Sequence, residues 1–184
     1  MMQHVPSGQH LWVKEYLREV LNFPKPGIRF QSISPLLASP EAMERVVKIF
    51  AARYKDQRID RIVAVASRGF LLGSFLAQAL RVPLVLAAKK GKLPPEIVQC
   101  EYELEYGRDC LEIETRSLQP GQRVLLVDDV IATGGTLRAA ASLVERLGAE
   151  VAEIAVFTDL ADLPWKQALE NYSVYSLLSI GEGA

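Results

Sequence analysis

The spacing of hydrophobic positions along the chain predicts an alternation of strands and helices. Short apolar runs bounded by turn residues are typical of buried strands, and apolar residues at intervals of three and four are typical of helices that cover a sheet. Because strands that alternate with helices usually form one parallel sheet, the expected fold class is α/β, a parallel sheet flanked by helices. The pattern predicts strands over residues 61–66, 83–88, 124–127, 151–157 and 173–180, and helices over 70–80 and 137–147.

The beginning of the chain is expected to add two helices and an irregular segment. Apolar residues recur at helical spacing over 10–22, which predicts a packing helix. Residues 23–35 contain three prolines and a glycine, so this segment should form neither a continuous helix nor a central strand. Ser39 followed by Pro40 predicts the start of a helix that reaches Tyr54, because serine caps a helix and proline fits its first turn.

Residues 96–116 interrupt this alternation. Apolar and charged residues alternate on both sides of Tyr106-Gly107, which predicts a half-exposed hairpin of two strands. No internal repeat, low-complexity stretch or linker divides the chain, so residues 1–184 are expected to form a single domain. Within that domain we expect residues 1–36 to form a small N-terminal hood and residues 96–116 to form a flexible hairpin lid.

Composition narrows the range of functions. The chain has 184 residues, of which 49% are hydrophobic and 23% charged, so it has enough apolar material for a sizeable core. Its net charge of −1 gives no general attraction to nucleic acid or to a membrane. The apolar runs at 62–66 and 82–88 are far shorter than the stretch of about twenty residues that spans a bilayer, and the polar start has no signal-peptide pattern. We therefore expect a cytoplasmic enzyme that binds its ligands at a local site.

One stretch, residues 124–136, carries most of the chemical information. It begins with the apolar run of a buried strand, continues with two adjacent carboxylates, and ends in a loop of small residues where a helix begins. Glycine lets the backbone approach an anion closely, and a helix start directs unpaired N–H groups at it. The loop residues that should hold a phosphate in this way are Ala132, Thr133, Gly134, Gly135 and Thr136.

The paired carboxylates suggest the rest of the ligand. Ionised Asp128 and Asp129 only accept hydrogen bonds, so they suit the two hydroxyl groups of a ribose, and they can also hold a cation beside phosphates. The loop lacks the lysine of a G-x-x-x-x-G-K-[ST] nucleotide loop, and the chain contains no G-x-G-x-x-G. ATP hydrolysis and dinucleotide binding are therefore disfavoured, and the implied ligand is a phosphorylated ribose.

Two further motifs suggest a second anion site. A Ser-Arg-Gly turn lies between a predicted strand and a predicted helix, so backbone N–H groups and a guanidinium group meet there. A cluster of three lysines follows the next predicted strand. Each motif alone is a weak signal, because basic residues in a turn are often simply solvated. Their position in the alternation of strands and helices that leads to residues 124–136 makes a functional role more plausible. The candidate ligands of the second anion are Ser67, Arg68, Gly69, Lys89 and Lys92.

These motifs and their order resemble those of the type I phosphoribosyltransferases. In that family, the segment that residues 124–136 match binds the ribose and 5-phosphate of 5-phosphoribosyl 1-pyrophosphate (PRPP). The similarity covers nearly the full chain, and four other segments narrow it to the members that act on adenine: 23–28, 67–70, 89–94 and 104–107. The resemblance implies purine salvage, in which the phosphoribosyl group of PRPP is transferred to adenine to give AMP and pyrophosphate. It also implies Mg²⁺ as cofactor and a homodimer.

The resemblance further assigns roles to individual residues. The two groups of anion ligands would together bind PRPP. A glutamate at the tip of the hairpin would assist proton removal from the base, and the tyrosine after it would close over the site. The catalytic residues implied are Glu105, Tyr106, Asp128 and Asp129. Adenine would lie between an aromatic ring and an aliphatic side chain, with backbone groups reading its edge, and the residues implied are Arg29, Phe30 and Leu160.

The chain departs from the family pattern at four positions. Gln31 and Ser32 stand where the family usually has Arg-Asp, Ala66 stands in place of an acid, and Ala88 stands in place of an arginine. Loss of one charged anchor would weaken pyrophosphate binding by about 1.5–3 kcal/mol, so weaker substrate affinity is expected. Two alternatives stay open: a phosphoribosyltransferase for another purine base, and a catalytically weak binding protein that senses PRPP.

Overall fold

A computed structural model describes residues 10–23, 25–104 and 107–181 of the chain. The strands are β1 (Arg18–Leu21), β2 (Arg29–Ser32), β3 (Arg61–Val65), β4 (Leu84–Lys89), β5 (Ile97–Leu104), β6 (Gly107–Glu114), β7 (Arg123–Ile131), β8 (Glu150–Leu160) and β9 (Val174–Ile180). The helices are α1 (Ser34–Leu37), α2 (Pro40–Tyr54), α3 (Gly69–Leu80), α4 (Gly135–Arg146) and α5 (Trp165–Ala168), preceded by a 3-10 helix at Leu11–Tyr16.

Seven strands form one large sheet in the order β5-β6-β4-β3-β7-β8-β9, and β1 pairs with β2 in a separate small sheet. The five neighbouring strands β4, β3, β7, β8 and β9 run parallel to one another, whereas β6 is antiparallel to both β4 and β5. The predicted α/β fold with a parallel sheet is thus confirmed. Because the chain leaves β3 toward β4 on one side while β7 lies on the other, a crevice opens beyond the carboxyl ends of β3 and β7.

Alternate side chains of the strands fill two apolar cores, one on each face of the large sheet. On β3, Val63 packs in the core that includes α4, and Ile62 packs in the core that includes α2 and α3. The start of α2 is as predicted, since the Ser39 hydroxyl oxygen accepts a hydrogen bond from the backbone N–H of Ala42 at 3.2 Å. Within the described ranges, no helix is both long enough and apolar enough to cross a membrane.

The helix predicted over residues 10–22 is wrong. The 3-10 helix ends at Tyr16, and the chain then becomes extended and forms β1, in which Val20 lies opposite Phe30 of β2. The apolar residues of this segment fit a helix, but pairing with β2 determines its conformation. The prediction for residues 23–35 missed β2, although this strand lies outside the large sheet and is therefore not a central strand, as predicted.

Two strands are longer than predicted, and one helix was not predicted. Strand β7 continues to Ile131, so the two acids belong to the strand rather than follow it. This extension is possible because β8 pairs with β7 as far as Ile131 opposite Asp159. Strand β8 likewise runs to Leu160, and the short helix α5 follows it. The predicted hairpin is present as β5 and β6, and β6 joins it to the large sheet beside β4.

Candidate active site

A cavity of about 1190 Å³ opens at the carboxyl ends of β3 and β7. The turn after β3, the end of β7 with the loop to α4, strand β2 and the segment after β8 form its wall. The structure therefore brings most of the predicted site residues to one place. Those on the wall are Arg29, Phe30, Ser67, Arg68, Lys89, Asp128, Asp129, Ala132, Thr133, Gly134, Thr136 and Leu160.

The two acids of β7 are almost completely buried at the cavity. Asp128 is 8% exposed and Asp129 is 3% exposed. The Asp128 oxygen Oδ1 accepts a hydrogen bond from the backbone N–H of Asp129 at 2.8 Å. The Asp129 oxygen Oδ2 lies 2.7 Å from Nε of Arg68 in an ion pair. The Arg68 side chain is one-third exposed, so it is the partner that solvent reaches.

Burial raises the pKa of both acids. It raises the pKa of Asp128 well above its ordinary value, and the adjacent carboxylate of Asp129 raises that pKa further. Burial also raises the pKa of Asp129, although the Arg68 guanidinium opposes this shift. Two carboxyl groups therefore stand where the fold alone disfavours their charged form. Such a site gains stability when a cation or hydroxyl donors bind to it.

Asp128→Asn should stabilise the protein at neutral pH. An acid with a raised folded-state pKa binds more protons when folded, so the free energy of unfolding falls as the pH rises above 3.8 and through the folded pKa. Asparagine keeps the acceptor for the Asp129 N–H but carries no charge. We expect a gain of about 0.5–2 kcal/mol at pH 7 that shrinks on acidification, measured by urea unfolding at several pH values. A variant less stable than the parent at pH 7 would contradict the assigned pKa of Asp128.

The loop between β7 and α4 has the properties of a phosphate site. Gly134 has a φ of +84° and precedes α4, a conformation that favours glycine. A Cβ on Gly135 would lie 3.1 Å from the carbonyl oxygen of Glu103 on β5, so glycine also lets the hairpin approach the loop. The first turn of α4 contains no acidic residue, and Thr133 and Thr136 face the cavity. The free N–H groups of the helix start and these hydroxyls suit an anion.

The turn after β3 connects the acids to the rest of the cavity. The guanidinium carbon of Arg68 lies 4.8 Å from the centre of the Phe30 ring, so Arg68 contacts both Asp129 and an aromatic wall. The peptide bond between Ala66 and Ser67 is cis. Gly69 lies beneath the cavity and not on its wall, where it packs closely against Asp128.

The lysine cluster is only partly at the cavity. Lys89 lines the wall, and its ammonium nitrogen lies within 2.6 Å of acceptors on Tyr102 and Asp109. Lys92 is exposed and outside the cavity wall, so its contact with a ligand stays a prediction. Tyr102 and Asp109 were not predicted as site residues. They lie opposite each other in the hairpin, so the register of the predicted hairpin was the signal that could have identified them as a pair.

An apolar part of the cavity lies between the small sheet and the ends of β8 and β9. The Phe30 ring meets Phe23 edge-on with 5.1 Å between ring centres. Leu160 and Ile180 line the opposite wall. Arg29 forms an exposed ion pair with Glu19 at 2.8 Å, so its side chain lies against β1. Ile180 was not predicted as a site residue, although its position at the end of the last predicted strand suggested it.

The four departures from the family pattern are accommodated within the fold. The Gln31 amide donates to Oε1 of Glu19 at 3.2 Å, and the Ser32 hydroxyl lies 3.2 Å from that of Ser34. Ala66 lines the cavity. Ala88 is buried and pairs with Glu112 across β4 and β6. None of these positions breaks the acid pair or the phosphate loop.

The carboxylate oxygens at the cavity fit a magnesium ion that a bound substrate would hold as its main ligand. Among the residues that the structure describes, no group of three or more His, Cys, Asp or Glu side chains is placed to hold a metal. Magnesium in phosphate-binding enzymes is usually held by one or two carboxylates together with substrate phosphates. Asp128 and Asp129 provide two such carboxylates beside the phosphate loop.

Two predicted catalytic residues, Glu105 and Tyr106, lie outside the described residues. The strands that lead to them are described up to Leu104 and from Gly107, which lie opposite each other in the hairpin. The catalytic roles of Glu105 and Tyr106 stay predictions.

Comparisons with known proteins agree with this fold. The family model of the phosphoribosyl transferase domain matches residues 32–181, so the chain is a phosphoribosyltransferase by class. The adenine phosphoribosyltransferase of Marinobacter nauticus is 44% identical over 169 residues, which cover 91% of this chain and 94% of that protein. The chain belongs to the adenine phosphoribosyltransferase family.

Two solved structures of adenine phosphoribosyltransferases have the same fold. That of the Thermoanaerobacter pseudethanolicus protein has a TM-score of 0.89 and 43% identity, and the match covers 92% of this chain and 98% of that one. That of the Saccharomyces cerevisiae protein, complexed with adenine and an imino-altritol bisphosphate, has a TM-score of 0.86 and 38% identity over 91% of this chain and 97% of that one.

Proposed function

We propose that this chain transfers the 5-phosphoribosyl group from PRPP to adenine, giving AMP and pyrophosphate in purine salvage. The observation that carries the proposal is one cavity in which a buried acid pair, a phosphate loop and an apolar wall with an aromatic ring converge. The relative from Saccharomyces cerevisiae was crystallised with adenine, which supports the choice of base.

PRPP would span the two anion sites of the cavity. The 5-phosphate would bind at the start of α4, where the loop N–H groups and the hydroxyls of Thr133 and Thr136 are available. Asp128 and Asp129 would accept hydrogen bonds from the two ribose hydroxyls. The pyrophosphate group would lie by the turn after β3 and the basic residues, for which we propose Ser67, Arg68, Lys89 and Lys92.

The site favours the reaction by placing charge where charge develops. Positive charge grows on the ribosyl ring as its bond to pyrophosphate breaks, and the two carboxylates lie on the ribose side of the site. Arg68 would leave Asp129 and bind phosphate oxygens, because the pyrophosphate group of PRPP carries more negative charge than the Asp129 carboxylate. A bound magnesium ion would neutralise charge on the departing pyrophosphate. Removal of the metal with a chelator should therefore abolish turnover.

The base would occupy the apolar part of the cavity. The Phe30 ring and Leu160 would enclose the purine, and backbone groups near Arg29 would contact its edge. We propose that Glu105 accepts the proton that adenine N9 loses and that Tyr106 closes over the site. Leu160, Leu163 and Ile180 make this wall apolar, which suits a neutral purine.

We further propose a hood and a lid within a single domain. Residues 1–36 would cover the base, and residues 96–116 would close over PRPP to exclude water, which would otherwise capture the ribosyl cation. Hydrogen exchange of the β5 and β6 amides with and without PRPP would test the lid. Equal exchange in both states would contradict it.

An exposed apolar patch supports a homodimer. Leu71 and Phe75 are 40% and 43% exposed on one side of α3, and Leu86 of β4 is 39% exposed. Exposed apolar patches often mark contacts between subunits. We propose that two copies of the cytoplasmic enzyme associate through this patch. Sedimentation velocity at micromolar concentration would test this, and the mass of a single chain would contradict it.

Nucleotide formation tests the proposed function. The purified protein is incubated with Mg²⁺, PRPP and adenine, hypoxanthine, guanine or xanthine in turn, and the products are separated by chromatography. We expect AMP from adenine and no product from the other bases, because Leu160, Leu163 and Ile180 present no hydrogen-bond donor to a 6-oxo group on their side of the cavity. Another nucleotide would change the base assignment. Tight binding of PRPP without any product would instead favour a PRPP-sensing protein.

A further inference from the structure

Two side chains of the hairpin hold Lys89. Its Nζ lies 2.5 Å from Oδ2 of Asp109 and 2.6 Å from the hydroxyl oxygen of Tyr102. Tyr102 and Asp109 lie opposite each other on β5 and β6, and the Tyr102 hydroxyl donates to Oδ2 of Asp109 at 3.2 Å. The three side chains thus form a closed cluster in which Lys89 lines the cavity.

The charge of Lys89 is already balanced in this cluster. Burial lowers the pKa of Lys89, but its hydrogen bonds to Asp109 and Tyr102 outweigh that effect and raise the pKa above 10.5. The ammonium group is therefore charged at neutral pH, and two of its three donors are engaged. A phosphate group that reaches Lys89 meets a lysine whose charge is paired with a carboxylate.

The backbone beside Lys89 has a separate anchor. Both carboxylate oxygens of Glu112 accept from the backbone N–H of Gly91 at 2.9 Å, and Glu112 is only 2% exposed. The Lys89 and Asp109 side chains, in contrast, are 38% and 30% exposed. The Lys89 side chain can therefore change partner while the turn after β4 stays in place.

We infer that Asp109 is a positioning residue that acts through Lys89, because it competes with the pyrophosphate group for the ammonium group. The inference rests on the proposed function, in which Lys89 binds pyrophosphate. On binding, Lys89 turns from Asp109 to phosphate oxygens, since the carboxylate would repel a phosphate at the same ammonium group. When pyrophosphate leaves, Asp109 takes Lys89 back. The competition lowers the affinity for pyrophosphate and speeds its release.

Asp109→Asn tests the competition directly. Binding of magnesium pyrophosphate to the free protein is measured by isothermal titration calorimetry. Loss of the charged competitor should lower the Kd by about tenfold, the usual worth of a hydrogen bond between charged groups. Tyr102→Phe removes an uncharged acceptor and should lower the Kd by about threefold. Glu101→Gln, the same charge change at an exposed position of the hairpin, should leave the Kd unchanged.

A double-mutant cycle with Lys89→Met separates competition from other causes. In that background, Asp109→Asn should no longer change the Kd, because the group it competes for is absent. An unchanged or higher Kd for Asp109→Asn alone would overturn the inference, as would an equal gain in the Lys89→Met background. If Lys89→Met alone leaves the Kd unchanged, Lys89 does not bind pyrophosphate and that part of the proposed function fails as well.

Discussion

Replacement of both acids, Asp128→Asn with Asp129→Asn, should lower the kcat/KM of AMP formation for PRPP by about a hundredfold to ten thousandfold. Each carboxylate is proposed to accept a hydrogen bond from a ribose hydroxyl, and such charged hydrogen bonds are worth about 1.5–3 kcal/mol each. Two of them therefore supply about 3–6 kcal/mol, or between a hundredfold and ten thousandfold in rate. The loss also removes the negative charge that faces the developing ribosyl cation. The measured quantity is kcat/KM for PRPP at saturating adenine, because the hydrogen bonds to the ribose hydroxyls already form in the bound substrate.

The control for this variant is another buried acid in the same region. Asp159 on β8 is 3% exposed and accepts a hydrogen bond from the Ser179 hydroxyl at 2.9 Å, but it does not line the cavity. Asp159→Asn can keep that hydrogen bond and should retain most of the activity. The fold of the double variant is checked by circular dichroism. Near-normal activity of a folded double variant would refute the assignment of the acid pair.

The acid pair and the phosphate loop could be predicted because their chemistry is contiguous in the sequence. Residues 124–136 contain a strand, two carboxylates and a helix start in direct succession, so no distant contact is needed to place them together. The same holds for the α2 start, where Ser39 and Pro40 are neighbours. Such local patterns predict structure well, because residues that are neighbours in the sequence are also neighbours in the folded chain.

The contacts between distant segments could not be predicted in this way. The ion pair of Arg68 with Asp129 joins residues from the ends of two strands, and its geometry depends on how α3 packs on β7. The contact of Lys89 with Asp109 depends on the register of β4 against β6. The error over residues 10–22 has the same origin, because the conformation of β1 is determined by its partner β2. Hydrophobic spacing carries no information about such partners.

Gly69→Ala should both destabilise the protein and reduce its activity, although Gly69 does not line the cavity. A Cβ at this position would lie 2.8 Å from Oδ1 of Asp128 and 2.9 Å from the carbonyl oxygen of Val127. The carbonyl belongs to the backbone of β7 and cannot move aside, so the start of α3 must shift away from the strand. Overpacking of this kind costs about 1–3 kcal/mol, which urea unfolding would measure.

The expected loss of activity follows from what the shift displaces. The turn that ends at Gly69 carries Arg68, and the clash falls directly on Asp128, so both halves of the proposed PRPP site lose their relative position. A displacement of about 1 Å can cost about a hundredfold in rate, mostly as a loss in kcat. Lys48→Ala on α2, whose side chain is 71% exposed, should change neither property appreciably. Where a helix has room, alanine usually stabilises it relative to glycine, so a more stable and fully active Gly69→Ala variant would show that α3 does not press on β7 at Asp128.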